Sequence, residues 1–103
     1  MIEMEDDREN PDNVILVCRE CSKKMYPNAG TYKRLDIGSF AKLRFTCGLN
    51  NEHMWLRVLT ECGNGKYEGR LDNDPFMTYE KFQYGDIITF WVEEVEDVRN
   101  GFE

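Results

Sequence analysis

The sequence predicts a small all-β domain: a five-stranded antiparallel barrel of SH3-like form, with an OB-like barrel as the second expectation and at most one or two short helical turns. Three observations carry this. Apolar and polar residues alternate with a period of two from Phe40 onward, which is the mark of half-buried strands. Gly63-Asn64-Gly65 sits between two such runs, and Asn and Gly accept the positive φ that a tight hairpin turn demands. A length of 103 residues supports one modest core, and a short sheet around it avoids exposed edges by curling.

The elements follow in order. Residues 1–12 hold six acids, one base and a closing Asn10-Pro11; they cannot bury enough apolar surface to order themselves and read as a disordered arm. Residues 13–98 read as the single β domain and 99–103 as a frayed tail. Val14-Ile15-Leu16-Val17-Cys18 suits a strand covered on both faces. Residues 19–39, punctuated by Pro27, Gly30 and Gly38, read as connection with one short helical turn at most. In 40–47, Ala41, Leu43, Phe45 and Cys47 fall inward, and Phe40, Lys42, Arg44 and Thr46 outward. After a turn at Gly48-Leu49-Asn50-Asn51, Met54, Leu56, Val58 and Cys62 fall inward, against His53, Trp55, Arg57 and Glu61. Tyr67, Gly69 and Leu71 then face the core, with Lys66, Glu68 and Arg70 facing water. Asp72-Asn73-Asp74-Pro75 ends that strand, because the side-chain oxygens favour turns and proline cannot donate to a ladder. Residues 76–83 have room for a single helical or 3₁₀ turn. Tyr84-Gly85-Asp86 is another turn, and 87–92 is a strand with Ile88, Phe90 and Val92 inward and Trp91 outward.

Apolar residues make up 41% and charged residues 32% of the chain, a globular composition. No apolar run approaches the roughly 20 residues that cross a bilayer as a helix, and Met1-Ile2-Glu3-Met4-Glu5-Asp6-Asp7 lacks the basic start and apolar stretch of a targeting signal. A cytoplasmic protein without a membrane partner is expected. The formal charge of −7 argues against diffuse attraction to nucleic acid. It is unevenly spread: −5 over residues 1–12, +5 over 13–44, −2 over 45–85 and −5 over 86–103. Such blocks are commonly solvated faces and frayed ends; the sharper reading is a bipolar surface for a charged partner.

Cys18-Arg19-Glu20-Cys21 has the spacing with which two thiolates clasp a tetrahedral zinc ion. The second half is weaker, since fourteen residues separate Cys47 from Cys62. A hairpin leaves Cys62 about 25–30 Å from the others. A set of Cys18, Cys21, Cys47 and His53 stays open, against the plainer reading of four thiols acting as small hydrophobes without a cofactor. Catalysis has less to stand on. His53 sits beside Glu52 in a predicted turn, Ser22 and Ser39 lack nucleophile context, and Asp72 and Asp74 suit turn hydrogen bonds better than paired-carboxylate chemistry. No glycine-rich phosphate loop precedes a helix. The sequence predicts no enzyme.

Binding is better supported. Alternation places Lys42, Arg44, His53, Trp55, Arg57 and Trp91 on the outward side of the strands, and aromatic and arginine side chains dominate interface hot spots. The competing reading is that residues 19–39 or a terminus cover both tryptophans. Basic and aromatic residues on a barrel face also describe single-stranded nucleic-acid binders, so a zinc-stabilised nucleic-acid-binding domain is the alternative function; the net charge weighs against it.

Three strings carry a resemblance: Glu52-His53-Met54-Trp55, Gly69-Arg70-Leu71-Asp72-Asn73-Asp74-Pro75, and Gly85-Asp86 before an apolar strand. In order and spacing, from Ser39-Phe40-Ala41-Lys42 through Val98, the chain resembles the YegJ-like family of small bacterial domains of unknown function, over about sixty of its 103 residues. The acidic arm and the Cys18–Cys21 pair depart from that pattern. The resemblance implies a stand-alone bacterial protein of inhibitor or immunity type, since related domains occur beside toxin genes; it transfers no catalytic residue. The expectation is therefore a non-catalytic module that recognises a protein partner through its strand face. Its acidic ends would steer it toward a basic target such as a toxin or nuclease.

Overall fold

The computed structural model describes residues 25–100. The expected arm at 1–12, the strand at 14–18 and the Cys18–Cys21 pair lie outside them. Five strands, β1 (Phe40–Cys47), β2 (Asn50–Gly63), β3 (Lys66–Leu71), β4 (Ile87–Trp91) and β5 (Asp97–Arg99), form one sheet in the order β4-β3-β2-β1-β5, every neighbour antiparallel. The all-β expectation holds, with a loose barrel: among the described residues no ladder joins β4 to β5.

The sheet nevertheless curls. Its two edges are joined through residues 92–96, which include a 3₁₀ turn at Val92–Glu94. That linker spans about 16 Å at 3₁₀ and strand rises, less than the roughly 19 Å width of five flat strands. The linker is tied at both ends: the Val92 N–H donates to the Gly65 carbonyl and the Glu96 N–H to the Lys42 carbonyl, each at 2.8 Å.

Alternation sorts the faces as expected over most of the sheet. Ala41, Leu43, Phe45, Met54, Leu56, Val58, Tyr67, Leu71, Ile88, Phe90 and Val92 are all buried. Leu35, Phe82 and Val95 from the connections close the core, Phe82 meeting Phe45 edge to face with centroids 4.9 Å apart. The β2–β3 hairpin turns on Asn64 and Gly65 with φ of +58° and +82°, the type I′ signature that the Gly-Asn-Gly string predicts.

Three expectations need correction. Cys62 is exposed, because the register slip between Val58 and Thr60 puts an extra residue into β2 and reverses its in–out phase, and Cys62 is itself the unpaired residue of a second slip between Glu61 and Gly63. The β1–β2 turn is only Gly48-Leu49, with Cys47 paired to Asn50, so Asn50, Asn51, Glu52 and His53 belong to a strand. Arg99, expected in the tail, ends β5 and pairs with Phe40; three residues are too few for a period to show.

Residues before β1 are held by Tyr67, whose buried phenol oxygen accepts the Leu35 N–H at 3.0 Å. Tyr67→Phe keeps the ring and orphans a buried amide, which costs about 1–3 kcal/mol. Urea denaturation should show a lower midpoint at unchanged slope; an unmoved midpoint would mean that the Leu35 amide finds another acceptor.

Candidate binding face

Ladder register brings the outward residues of β1 and β2 together in rows: Phe40 with Arg57, Lys42 with Trp55, and Arg44 with His53. β5 extends the rows, setting Arg99 beside Phe40 and Asp97 beside Lys42. Lys42, Arg44, His53, Trp55 and Arg57 thus form one contiguous patch, each half-buried. Trp91 does not join it. It pairs with Lys66, whose Nζ lies 5.8 Å from the indole centroid, at the opposite end of the β2–β3–β4 ladders from Trp55.

Within the patch the cations sit on aromatic faces. Lys42 Nζ is 5.4 Å from the Trp55 ring and 5.0 Å from that of Tyr26, the Arg57 guanidinium is 4.8 Å from Phe40, and that of Arg99 is 5.3 Å from Trp55. Each such contact is worth about 0.5–1 kcal/mol at an exposed site and holds the long side chain over its ring. Trp55, with Lys42 and Arg99 over its ring, is neither core nor freely exposed; Tyr26 is the part of the preceding connection that reaches this face. Phe40, Trp55, Asp72, Arg99 and Asn100 line an open groove of about 280 Å³. Four cations (Lys42, Arg44, Arg57 and Arg99) meet three acids, Asp72, Asp97 and the buried Glu96 beneath His53, so the patch is net positive inside an acidic protein. Arg44 carries a buried Nε with no hydrogen-bond partner.

His53 has a structural partner. Its Nδ1 lies 2.6 Å from Oε1 of Glu96, whose side chain is fully buried, and its ring is 5.6 Å from that of Tyr26. The pair fixes the imidazole as a wall of the face. Strand register separates His53 from Cys47. The register puts Cys47 on the inward side with Asn50 and His53 on the outward side with Arg44, so these two members of the expected zinc set are not brought together. Among the described residues no three His, Cys, Asp or Glu side chains gather as metal ligands.

The Glu52-His53-Met54-Trp55 and Leu71-Asp72-Asn73-Asp74-Pro75 strings interlock. The Trp55 N–H donates to Asn73 Oδ1 at 2.5 Å, the Asp72 N–H donates to the Trp55 carbonyl at 2.9 Å, and the Tyr84 hydroxyl donates to Asp72 Oδ1 at 3.2 Å. Glu52, across from Phe45, reaches over the end of the core. Its Oε2 accepts the N–H groups of Phe76, Met77 and Thr78 at 3.1, 2.9 and 2.8 Å and the Thr78 hydroxyl at 2.6 Å. Burial alone would raise the Glu52 pKa. The hydrogen bonds from the Thr78 hydroxyl and from the Thr78, Met77 and Phe76 amides together outweigh it and hold the carboxyl below its ordinary value.

Sequence reasoning missed Phe40, Arg99 and Tyr26 as members of the face and Glu52 as the clamp of a distant loop. Phe40 had a signal, since alternation already placed it outward. The others depend on which segments meet, which a local period does not report.

Residues 33–100 match the family described as "Uncharacterized protein conserved in bacteria (DUF2314)", a span that contains all five strands. No curated protein and no solved structure matches the chain.

Proposed function

The chain belongs to this family of uncharacterised bacterial proteins, and we propose that it is a non-catalytic binding module whose β1–β2–β5 face holds an acidic segment of a protein partner. The observation that carries this reading is the single patch in which Lys42, Arg57 and Arg99 lie over Tyr26, Trp55 and Phe40. Cations held in place this way lose little freedom on binding, and the aromatic rings between them supply apolar area. The sign of the face favours carboxylates at the point of contact, where the charge of the chain's ends favours a basic target. The inhibitor or immunity role implied by resemblance to the YegJ-like family fits a module of this size that works by docking.

The test uses a fluorescent Glu-rich octapeptide, with a single-stranded thymidine oligonucleotide of matched charge alongside. Trp55→Ala and Arg44→Glu should each weaken peptide binding roughly tenfold or more while the protein stays folded, Trp55→Ala losing about 1–2 kcal/mol of stability with its two cation–π contacts, and Trp91→Ala should leave the affinity unaltered. Equal affinity of the Trp55→Ala and parent proteins removes this face as the docking surface. Tighter binding of the oligonucleotide would move the proposal to nucleic acid.

A further inference from the structure

Between β3 and β4 the chain turns large apolar side chains toward water. Phe76 is 84% exposed, Tyr79 60% and Tyr84 59%, and Met77 is exposed beside them. Water-facing rings at a loop tip are ordinary when the backbone is loose. Here it is tied down. Three successive amides and one hydroxyl converge on Glu52. Thr78 and Phe82 are buried and joined by one helical turn, in which the Thr78 carbonyl accepts the Lys81 and Phe82 N–H groups at 3.0 Å. The far end is clamped by Leu71 N–H to the Asp86 carbonyl and Gly85 N–H to the Leu71 carbonyl, both 2.8 Å. Because the amides of Phe76 and Met77 are used on Glu52 and Thr78 points inward, the side chains of residues 76, 77 and 79 stay in solvent. Their display is built into the fold.

The surroundings of these rings are acidic. Asp74 and Glu80 are exposed and Asp72 and Asp86 half-exposed, while the one base of the segment, Lys81, lies over the Phe82 ring at 5.9 Å. We infer that residues 72–86 form a second docking surface, for a basic protein partner whose lysines and arginines pair with Asp74 and Glu80 while its apolar pockets take Phe76 and Tyr79. Aromatic anchors on a pre-ordered backbone lose little conformational entropy on burial, and opposite charge around them sets orientation and arrival rate. The surface is opposite in sign to the strand face and stands without it. The two meet at Asp72, which lines the groove and accepts the Tyr84 hydroxyl.

The experiment titrates the isotope-labelled full chain with an octapeptide of alternating Lys and Leu, followed by amide chemical shifts, and repeats it with the Glu–Leu counterpart. The Lys peptide should move the amides of Asp74 and of residues 76–81, and the Glu peptide should leave them in place. Phe76→Ser combined with Tyr79→Ser should weaken the Lys peptide at least tenfold. Asp74→Asn combined with Glu80→Gln should do the same and flatten its salt dependence. These four side chains are exposed and the Glu52 clamp, Thr78 and Phe82 remain, so the fold is retained; unchanged thermal midpoints verify this. Shifts confined to the termini or the strands, or equal affinity of the paired variants, overturn the inference. Concentration-dependent self-association abolished by the Phe76/Tyr79 pair also overturns it, by making a second copy of the chain the occupant.

Discussion

Gly69→Val is expected to lower the unfolding free energy by about 3 kcal/mol, and Gly69→Ala by roughly 1–2, the scale of overpacking in a close-packed core. Gly69 faces the core opposite Val58, and a Cβ there would stand 2.9 Å from the Arg57 carbonyl oxygen and 3.2 Å from the Leu56 Cβ. The first neighbour is backbone, so no rotamer change relieves it. Nor is β2 free to move away, because Val58 exchanges hydrogen bonds with residues on its other side: Gly38 N–H to the Val58 carbonyl and Val58 N–H to the Ser39 carbonyl, both 2.8 Å. Urea denaturation of the two variants checks this. Parent-like stability in Gly69→Val would mean that β2 is not held between residues 38–39 and β3.

Glu52→Ala is expected to cost about 2 kcal/mol at neutral pH. It leaves the buried Thr78 hydroxyl without its acceptor, while water replaces the carboxylate at the exposed amides of residues 76 and 77. The same clamp makes stability depend on pH, and the sign follows from the depressed carboxyl. The folded protein binds the Glu52 proton less readily than the unfolded chain. The stabilisation is therefore present above the ordinary value of 4.5 and disappears as pH falls through the lower folded value. Paired denaturation of parent and Glu52→Gln proteins at about pH 7 and about pH 3 should show a gap that narrows in acid. A gap of the same size at both would mean that the carboxylate charge contributes nothing to the loop.

Much of the fold was legible because a strand with one buried face writes its period into the chain. Ala41 to Phe45, Met54 to Val58, Tyr67 to Leu71 and Ile88 to Val92 all took their expected sides. The period fails where its physical premise does: the slip between Val58 and Thr60 inverts β2 ahead of Cys62, which a second slip leaves unpaired, and β5 is three residues long and mostly charged. The binding face was legible in part, since alternation tells which side of the sheet a residue takes. It does not tell which distant segment lands beside it. Glu52 reaches residues 76–78, His53 reaches Glu96, and Arg99 arrives over Trp55 from near the C-terminus; each contact spans sequence separations that a local pattern cannot encode. Trp91 shows the same limit from the other side, for it has the expected phase and the wrong neighbours.

Lys42, Arg44, Trp55, Arg57 and Arg99 are proposed to form one working surface. Chemical-shift mapping of the full chain during titration with the Glu-rich octapeptide tests this most directly. The largest changes are expected on those five residues and the Trp55 indole N–H, with residues 64–66 and 89–91 unmoved. An unmoved Trp55 indole, with the changes gathered around Lys66 and Trp91, would contradict the proposal.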